Sequence, residues 1–421
     1  MKKKSKITPI SMFFIVSIIG IIGFLIFAYF NNSTSTFSWL MMQHNSDYTL
    51  ADYFYHIFYG RNLTTVYNAY DVDPCFPPLS YLLYHYMFMI NPVENMERLK
   101  DVINFPYYLS IYLIFASLLI VLFSFSIQIF NESAKQTMKP MKTSKTMLLV
   151  VIAILSVPFG ASAIERGNSV FIVLILLVFA MAFKDSDRKV LREIALILIA
   201  IAANFKLYPA IFGLLYLKEK RYKEAIRLTI YGVAFFIVPF VFFGGIKGIK
   251  DYLVILKLMQ GRSCEQATTV RGVVTSIFEL IGGEGYKWIG HSIGKIVENI
   301  YLIVTLVAFW FCKNKWKETF LLVSPMVVYV TSAYRYTAIY YFIPLLIFLL
   351  MQNRVEERIS MNSDVVFEKI DYVYAFLFAM VFTVPIWVFA FELENFMYVN
   401  IYIMIILITI DTFYRKIKAI S

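Results

Sequence analysis

TPISMFFIVSIIGIIGFLIFAYF, residues 8–30, holds no charged side chain across its whole length. That exceeds the roughly 20 apolar residues a helix needs to cross a bilayer. Met1-Lys2-Lys3-Lys4-Ser5-Lys6 precedes it. A basic start and an apolar run also open a secretory signal, but the apolar part of a signal is only about 7–15 residues long. No small-residue cleavage site follows either, so the stretch reads as a retained first span. The remainder of the chain repeats the pattern. Of 421 residues, 60% are hydrophobic and 16% charged, against roughly 25% charged in soluble domains. A soluble fold of this composition could not cover its own surface. The 40 Phe and 30 Tyr are partly accounted for by aromatic belts at membrane interfaces.

The net charge of +11 would suggest nucleic acid in a soluble protein. Here the Lys and Arg residues stand in short runs between apolar segments, which is the positive-inside pattern, and no basic–aromatic surface points to nucleic acid. The expected fold is an all-α polytopic membrane protein with about twelve transmembrane helices, eleven to thirteen being compatible with the apolar runs. Crossings are expected at 8–30, 105–130, 146–163, 169–183, 193–206, 209–217, 228–244, 296–312, 319–333, 336–351, 371–390 and 397–414. The pair within 193–217 can also be one bent span. The run Pro77–Ile90 is short and opens with Pro-Pro, so it reads as interfacial or re-entrant. With these crossings every strongly basic loop falls on one side. Both termini are then cytoplasmic, and two long outer loops, 31–104 and 245–295, carry interfacial helices. Residues 1–351 form the expected core, and 352–421 an inner loop with a C-terminal helix pair.

Charges forced to membrane level are costly without a partner and therefore informative. Asp47 and Asp52 stand in an aromatic stretch after the first span. They are five residues apart, so on one helix they point in different directions. Each reads either as a helix cap or turn former in a solvated loop or as a half-buried carboxylate with a tuned proton affinity. Lys206 sits between two short apolar runs, ahead of Leu207-Tyr208-Pro209, and either snorkels to the interface or faces a headgroup phosphate. Arg335 is placed similarly. Arg166 pairs with Glu165, caps a turn, or joins the other two cations around an anionic lipid phosphate. Of three cysteines, Cys75 and Cys264 fall in the outer segments, where they either form a disulfide or pack as reduced residues. Cys312 is expected inside and free. No Cys or His spacing suits a metal.

Several of these features together resemble a known family. A basic N-terminus precedes one span; an acidic residue follows in the first outer loop, then Phe76-Pro77-Pro78-Leu79-Ser80-Tyr81, then Gly167-Asn168, then Asn204-Phe205-Lys206-Leu207-Tyr208-Pro209. This arrangement is similar to the GT-C superfamily of membrane glycosyltransferases, and within it to the polyprenol-phosphate-mannose-dependent mannosyltransferase-like family, glycosyltransferase family eighty-seven, over about residues 8–351. The resemblance implies an inverting, metal-independent or weakly metal-dependent transfer of a mannose-like hexose from a polyprenyl-phosphate sugar to a lipid or glycan acceptor at the outer face. It implies Asp52 as the catalytic carboxylate with Asp47 in reserve, and Lys206, Arg335 and Arg166 on the donor phosphate. Tyr53, His56, Asn168 and Tyr334 are expected to line the substrate site. Neither a metal nor a cofactor is expected beyond the lipid-linked donor, and the partners are donor, acceptor and membrane lipids. This sequence departs from the family in Tyr53 after the acid and in the turn Asp73-Pro74-Cys75-Phe76, which leaves sugar and acceptor open. Two other functions fit a chain of many spans: a transporter or flippase of lipid-linked sugar, and a surface-polysaccharide polymerase or ligase.

Overall fold

The computed structural model describes residues 7–30, 49–67, 74–90, 92, 106–134, 139–261, 269–329, 334–361, 366–383 and 393–418. Among them every regular element is helical. In chain order the helices are α1 Pro9–Phe30, α2 Ala51–Gly60, α3 Pro78–Met89, α4 Pro106–Ser133, α5 Thr143–Leu155, α6 Val170–Phe183, α7 Lys189–Phe205 and α8 Gly213–Lys218. They continue as α9 Tyr222–Ile237, α10 Ile246–Gly261, α11 Val270–Gly282, α12 Lys287–Phe311, α13 Lys315–Val328, α14 Phe342–Ser360, α15 Lys369–Val381 and α16 Leu393–Lys418.

Among the described residues, six stretches are long and apolar enough to cross a membrane: Pro9–Phe30, Pro106–Ser133, Tyr222–Phe243, Glu284–Phe311, Arg335–Ser360 and Tyr398–Lys418. The other expected crossings fall on shorter elements, and the breaks have local causes. Pro158 follows α5, and the chain then takes a π turn over Phe159–Ile164. A proline removes a backbone donor and its ring clashes with the preceding turn. Pro209 likewise opens a 3-10 turn, Tyr208–Phe212, before the six-residue α8. Together these rise only about 19 Å, well short of a hydrocarbon core of about 30 Å. The Pro77–Ile90 run forms α3, whose 12 residues are also too short to span.

The chain divides into two compact units. The first comprises Met1–Ser46, Ala134–Ser162 and Cys264–Ser421, and the second Asp47–Ser133 and Ala163–Ser263. Residues 352–421 thus group with the N-terminal span. The first unit is built on α14, where Phe342 to Leu350 are all buried. Trp316 on α13 packs its ring 5.2 Å from Phe348, 4.8 Å from Tyr374 and 5.8 Å from Phe378. Gly20 lets α1 approach Thr383 closely: a Cβ there would lie 2.2 Å from Thr383 Oγ1, whose hydroxyl donates to the Ser17 carbonyl at 3.1 Å. Small residues serve this purpose where apolar surface supplies little drive between helices.

In each unit, loops expected on one side do meet. Lys139 pairs with Glu357, Lys145 Nζ lies 3.6 Å from Glu356, and Asn353 donates to the Pro140 carbonyl at 3.0 Å. In the second unit, Lys184 bridges Asp185 (2.9 Å) and Glu219 (2.5 Å), and Arg221 reaches Asp185 at 2.9 Å.

Candidate active site

The second unit gathers several of the singled-out residues at one place. Leu50 caps α2 in the left-handed conformation, at φ 58°, and its N–H donates to the Glu165 carbonyl at 2.8 Å. This tie fixes where α2 starts, and so places Asp52 in its first turn. A carboxylate there is favoured by the positive end of the helix dipole. The other wall is the turn Glu165–Asn168. Gly167 adopts φ +64°, and a Cβ on it would lie 2.6 Å from Tyr53 Cβ and 3.1 Å from Tyr112 Cε2. Only glycine meets both demands without strain. Asn168 Oδ1 accepts from the Val170 N–H at 3.1 Å, at the start of α6, which turns its amide nitrogen toward α2.

Asp52 is consequently held on both oxygens. Arg166 donates to Oδ1 from Nη2 at 2.5 Å and from Nε at 3.2 Å, and Asn168 Nδ2 donates to Oδ2 at 2.7 Å. The side chain keeps 16% of its surface exposed, against 7% for Arg166. A carboxylate has about four lone-pair sites, so one remains for a fourth donor. Behind it, Tyr53 is fully buried, with its hydroxyl donated to the Tyr108 carbonyl at 3.1 Å and its ring 4.9 Å from Tyr112. Tyr53 therefore anchors α2 within the aromatic cluster of Tyr84, Tyr108 and Tyr112.

Lys206 ends α7 in an extended conformation. Two bonds set its position: Ser80 Oγ donates to the Phe205 carbonyl at 2.8 Å, and Asn204 Nδ2 donates to the Gly232 carbonyl at 3.0 Å. Its ammonium lies 3.1 Å from the centroid of the Phe76 ring, a cation–π contact. No carboxylate among the described residues lies within ion-pair distance of it. His56, one turn after Asp52, packs its ring 4.1 Å from the same Phe76 and 5.0 Å from Tyr84. Its Nδ1 is buried without a hydrogen-bond partner among the described residues.

Burial first, then the positive charges of Lys206 and Arg166, hold the His56 imidazole well below its ordinary pKa of 6.5. The folded protein keeps the ring neutral, whereas the unfolded chain takes up a proton as the pH falls through about 6.5. Stability is therefore full above that value and lost below it. The melting temperature of the purified protein is expected to drop between about pH 6.5 and 5. His56→Phe should flatten that drop while leaving stability at neutral pH unreduced. An equally steep acid loss in the variant would remove His56 as its source.

The contact between Asp52 and Arg166 is the main feature that sequence reasoning missed. Arg166 was expected on Glu165, in a turn cap or on a phosphate, and instead its guanidinium is spent on Asp52. The Phe76 ring beneath Lys206 was also unforeseen; the only signal was an aromatic ahead of Pro77-Pro78. Arg335 and Tyr334 belong to the first unit. There Arg335 is buried at the start of the 3-10 turn Arg335–Tyr341, and the Tyr334 and Tyr336 rings lie 5.5 Å apart. Asp47 and Cys264 lie outside the described residues, so the reserve carboxylate and the Cys75–Cys264 pairing are not placed.

The model of one protein family, glycosyltransferase family 87, matches residues 102–334. No curated protein and no solved structure matches the chain. Arg166, Asn168 and Lys206 lie inside the matched stretch. Asp52 lies ahead of it and is joined to it by the bonds described above.

Proposed function

Since the chain belongs to glycosyltransferase family 87 and is a membrane protein, we propose that it moves a hexose from a polyprenyl-phosphate sugar to a lipid or glycan acceptor at the outer face, with inversion at the anomeric carbon. The observation that carries this reading is the Asp52 carboxylate, held on both oxygens by Arg166 and Asn168, in the same unit as the Lys206 ammonium, which meets no carboxylate at ion-pair distance among the described residues. The acceptor hydroxyl oxygen bonds to the anomeric carbon while the bond from that carbon to the phosphate oxygen breaks. Polyprenyl phosphate departs with the electron pair, and the hydroxyl proton passes to Asp52 as general base. The donor already carries its charge on the leaving group, so what the protein adds is a base and fixed positive charge. One carboxylate suffices for inversion by this route, unlike the carboxylate pair of a glycosidase. Lys206 supplies the charge in the second unit. Arg166 orients the base, and Arg335 is proposed as a further cation for the donor phosphate, with Tyr334 and His56 beside the substrate. In this topology the protein is a multi-pass component of the cell membrane with both termini cytoplasmic.

The direct test is to incubate the purified protein with radiolabelled polyprenyl-phosphate hexoses and a membrane lipid or glycan extract. Transfer of label with an inverted anomeric linkage is expected. Well-folded protein that transfers from no lipid-phosphate sugar would favour the transporter or polymerase readings. Lys206→Met is expected to lower kcat/KM for the donor by about 10²–10³, whereas Lys206→Arg, which keeps the charge, should stay within about tenfold. Equal loss in both variants would show that packing on Phe76, and not charge, is what Lys206 provides.

A further inference from the structure

A groove of about 730 Å³ lies between α7, the segment 208–218 and α9. Its walls are mostly apolar, and small residues such as Ala203, Ala210, Gly213 and Gly232 keep it open. Along α9 it runs from Tyr222 to Ile237, about 22 Å, which is longer than the roughly 15 Å of hydrocarbon in one leaflet. Where α7 and α9 begin, a second cavity of about 900 Å³ opens, and Tyr222 lines both. This second cavity is basic. Its three arginines are paired: Arg192 Nε lies 3.4 Å from Glu224, Arg221 bonds Glu224, and Arg227 Nη2 lies 3.1 Å from Glu193. Its three lysines, Lys189, Lys220 and Lys223, are exposed and make no ion pair among the described residues. Lys220 holds the turn between α8 and α9 in the left-handed conformation, at φ 57°.

We propose that this groove seats one anionic glycerophospholipid, with its phosphate among Lys189, Lys220 and Lys223 and one acyl chain between α7 and α9. The charges match: six cationic side chains line the mouth against two glutamates, both already paired with arginines, so the surplus there is four positive charges, three of them on the lysines. The apolar channel leads directly from that mouth, as a chain must follow its head. Lys206 does not compete for the head, because it is buried on Phe76 and lines neither cavity. The lipid site is therefore separate from Asp52 and its partners.

A lysine near an anionic lipid headgroup is worth about fivefold in affinity, so three amount to roughly a hundredfold at low salt. The test is native mass spectrometry of the full-length protein in detergent, titrated with phosphatidylglycerol or with phosphatidylcholine of the same chains. Wild type is expected to retain phosphatidylglycerol on the order of a hundredfold better. The triple variant Lys189→Gln, Lys220→Gln, Lys223→Gln changes only exposed side chains and should bring the two lipids close to parity. Gly232→Leu fills the channel, where an added Cβ meets no atom within 4 Å. It should weaken both lipids together by about tenfold while leaving their ratio intact. Glycerol phosphate at the same concentration should not displace the lipid. A triple variant that keeps the preference, a Gly232→Leu protein that retains lipid normally, or displacement by glycerol phosphate would each overturn the proposal.

Discussion

Asp52→Asn protein is expected to transfer hexose at least about 10³-fold more slowly than wild type, and also to melt at a lower temperature. Removal of a positioned general base costs about 10²–10⁴ in rate. The same change leaves the Arg166 guanidinium, with 7% of its side chain exposed, without its counter-charge. Breaking one partner out of a buried pair costs about 3–5 kcal/mol. The single variant thus confounds chemistry with folding, and the double variant separates them. In Asp52→Asn/Arg166→Met no uncompensated charge remains, so much of the thermal stability should return. If Asp52 is the base, activity stays lost. If the pair is only a brace, activity comes back with stability, and the base must be sought elsewhere, beginning with Asp47. The pair of measurements, melting temperature and initial rate for wild type, both singles and the double, forms a complete cycle.

Gly167→Val is the second change with a large expected effect, and it acts on structure alone. A β-branched residue at φ +64° meets a left-handed penalty of about 1–2 kcal/mol. The new Cβ would also stand 2.6 Å from Tyr53 Cβ, and overpacking of that sort costs about 1–3 kcal/mol more. Relief requires either the turn or α2 to shift, and either movement pulls Arg166 and Asn168 away from Asp52. Transfer is expected to fall more than a hundredfold even below the melting temperature, since displacement of about 1 Å near the chemistry can cost 10² in rate. A Gly167→Val protein with normal rate and stability would show that this turn is pliant.

Much of the helical skeleton was legible because long apolar runs are self-announcing. Residues 8–30, 105–130 and 397–414 appear as α1, α4 and α16 with ends shifted by a few residues. The prolines were legible too, yet their effect was underestimated. Pro158 and Pro209 cut the expected crossings at 146–163 and 209–217 into short pieces, because hydropathy measures how apolar a stretch is and not whether its backbone can stay helical. At the site, Asp52, Arg166 and Lys206 could each be picked out as charges in costly positions, and Asn168 through the family resemblance. Their mutual arrangement could not. No spacing rule links residues 114 apart in the chain, and the bonds depend on Leu50 adopting the left-handed form and on Gly167 tucking beneath Tyr53. Arg166 shows the consequence: read alone it suited a phosphate, and only the fold reveals the carboxylate that takes it.

That separation along the chain also has a consequence in time. Ribosomes add about 5–20 residues per second, so Asp52 is made roughly 6–23 s before the arginine and asparagine that hold it. Throughout that interval the Asp52 carboxylate lacks the two side chains that hold it in the folded protein. Slowing synthesis between residues 52 and 166 lengthens that interval, and hastening it shortens it.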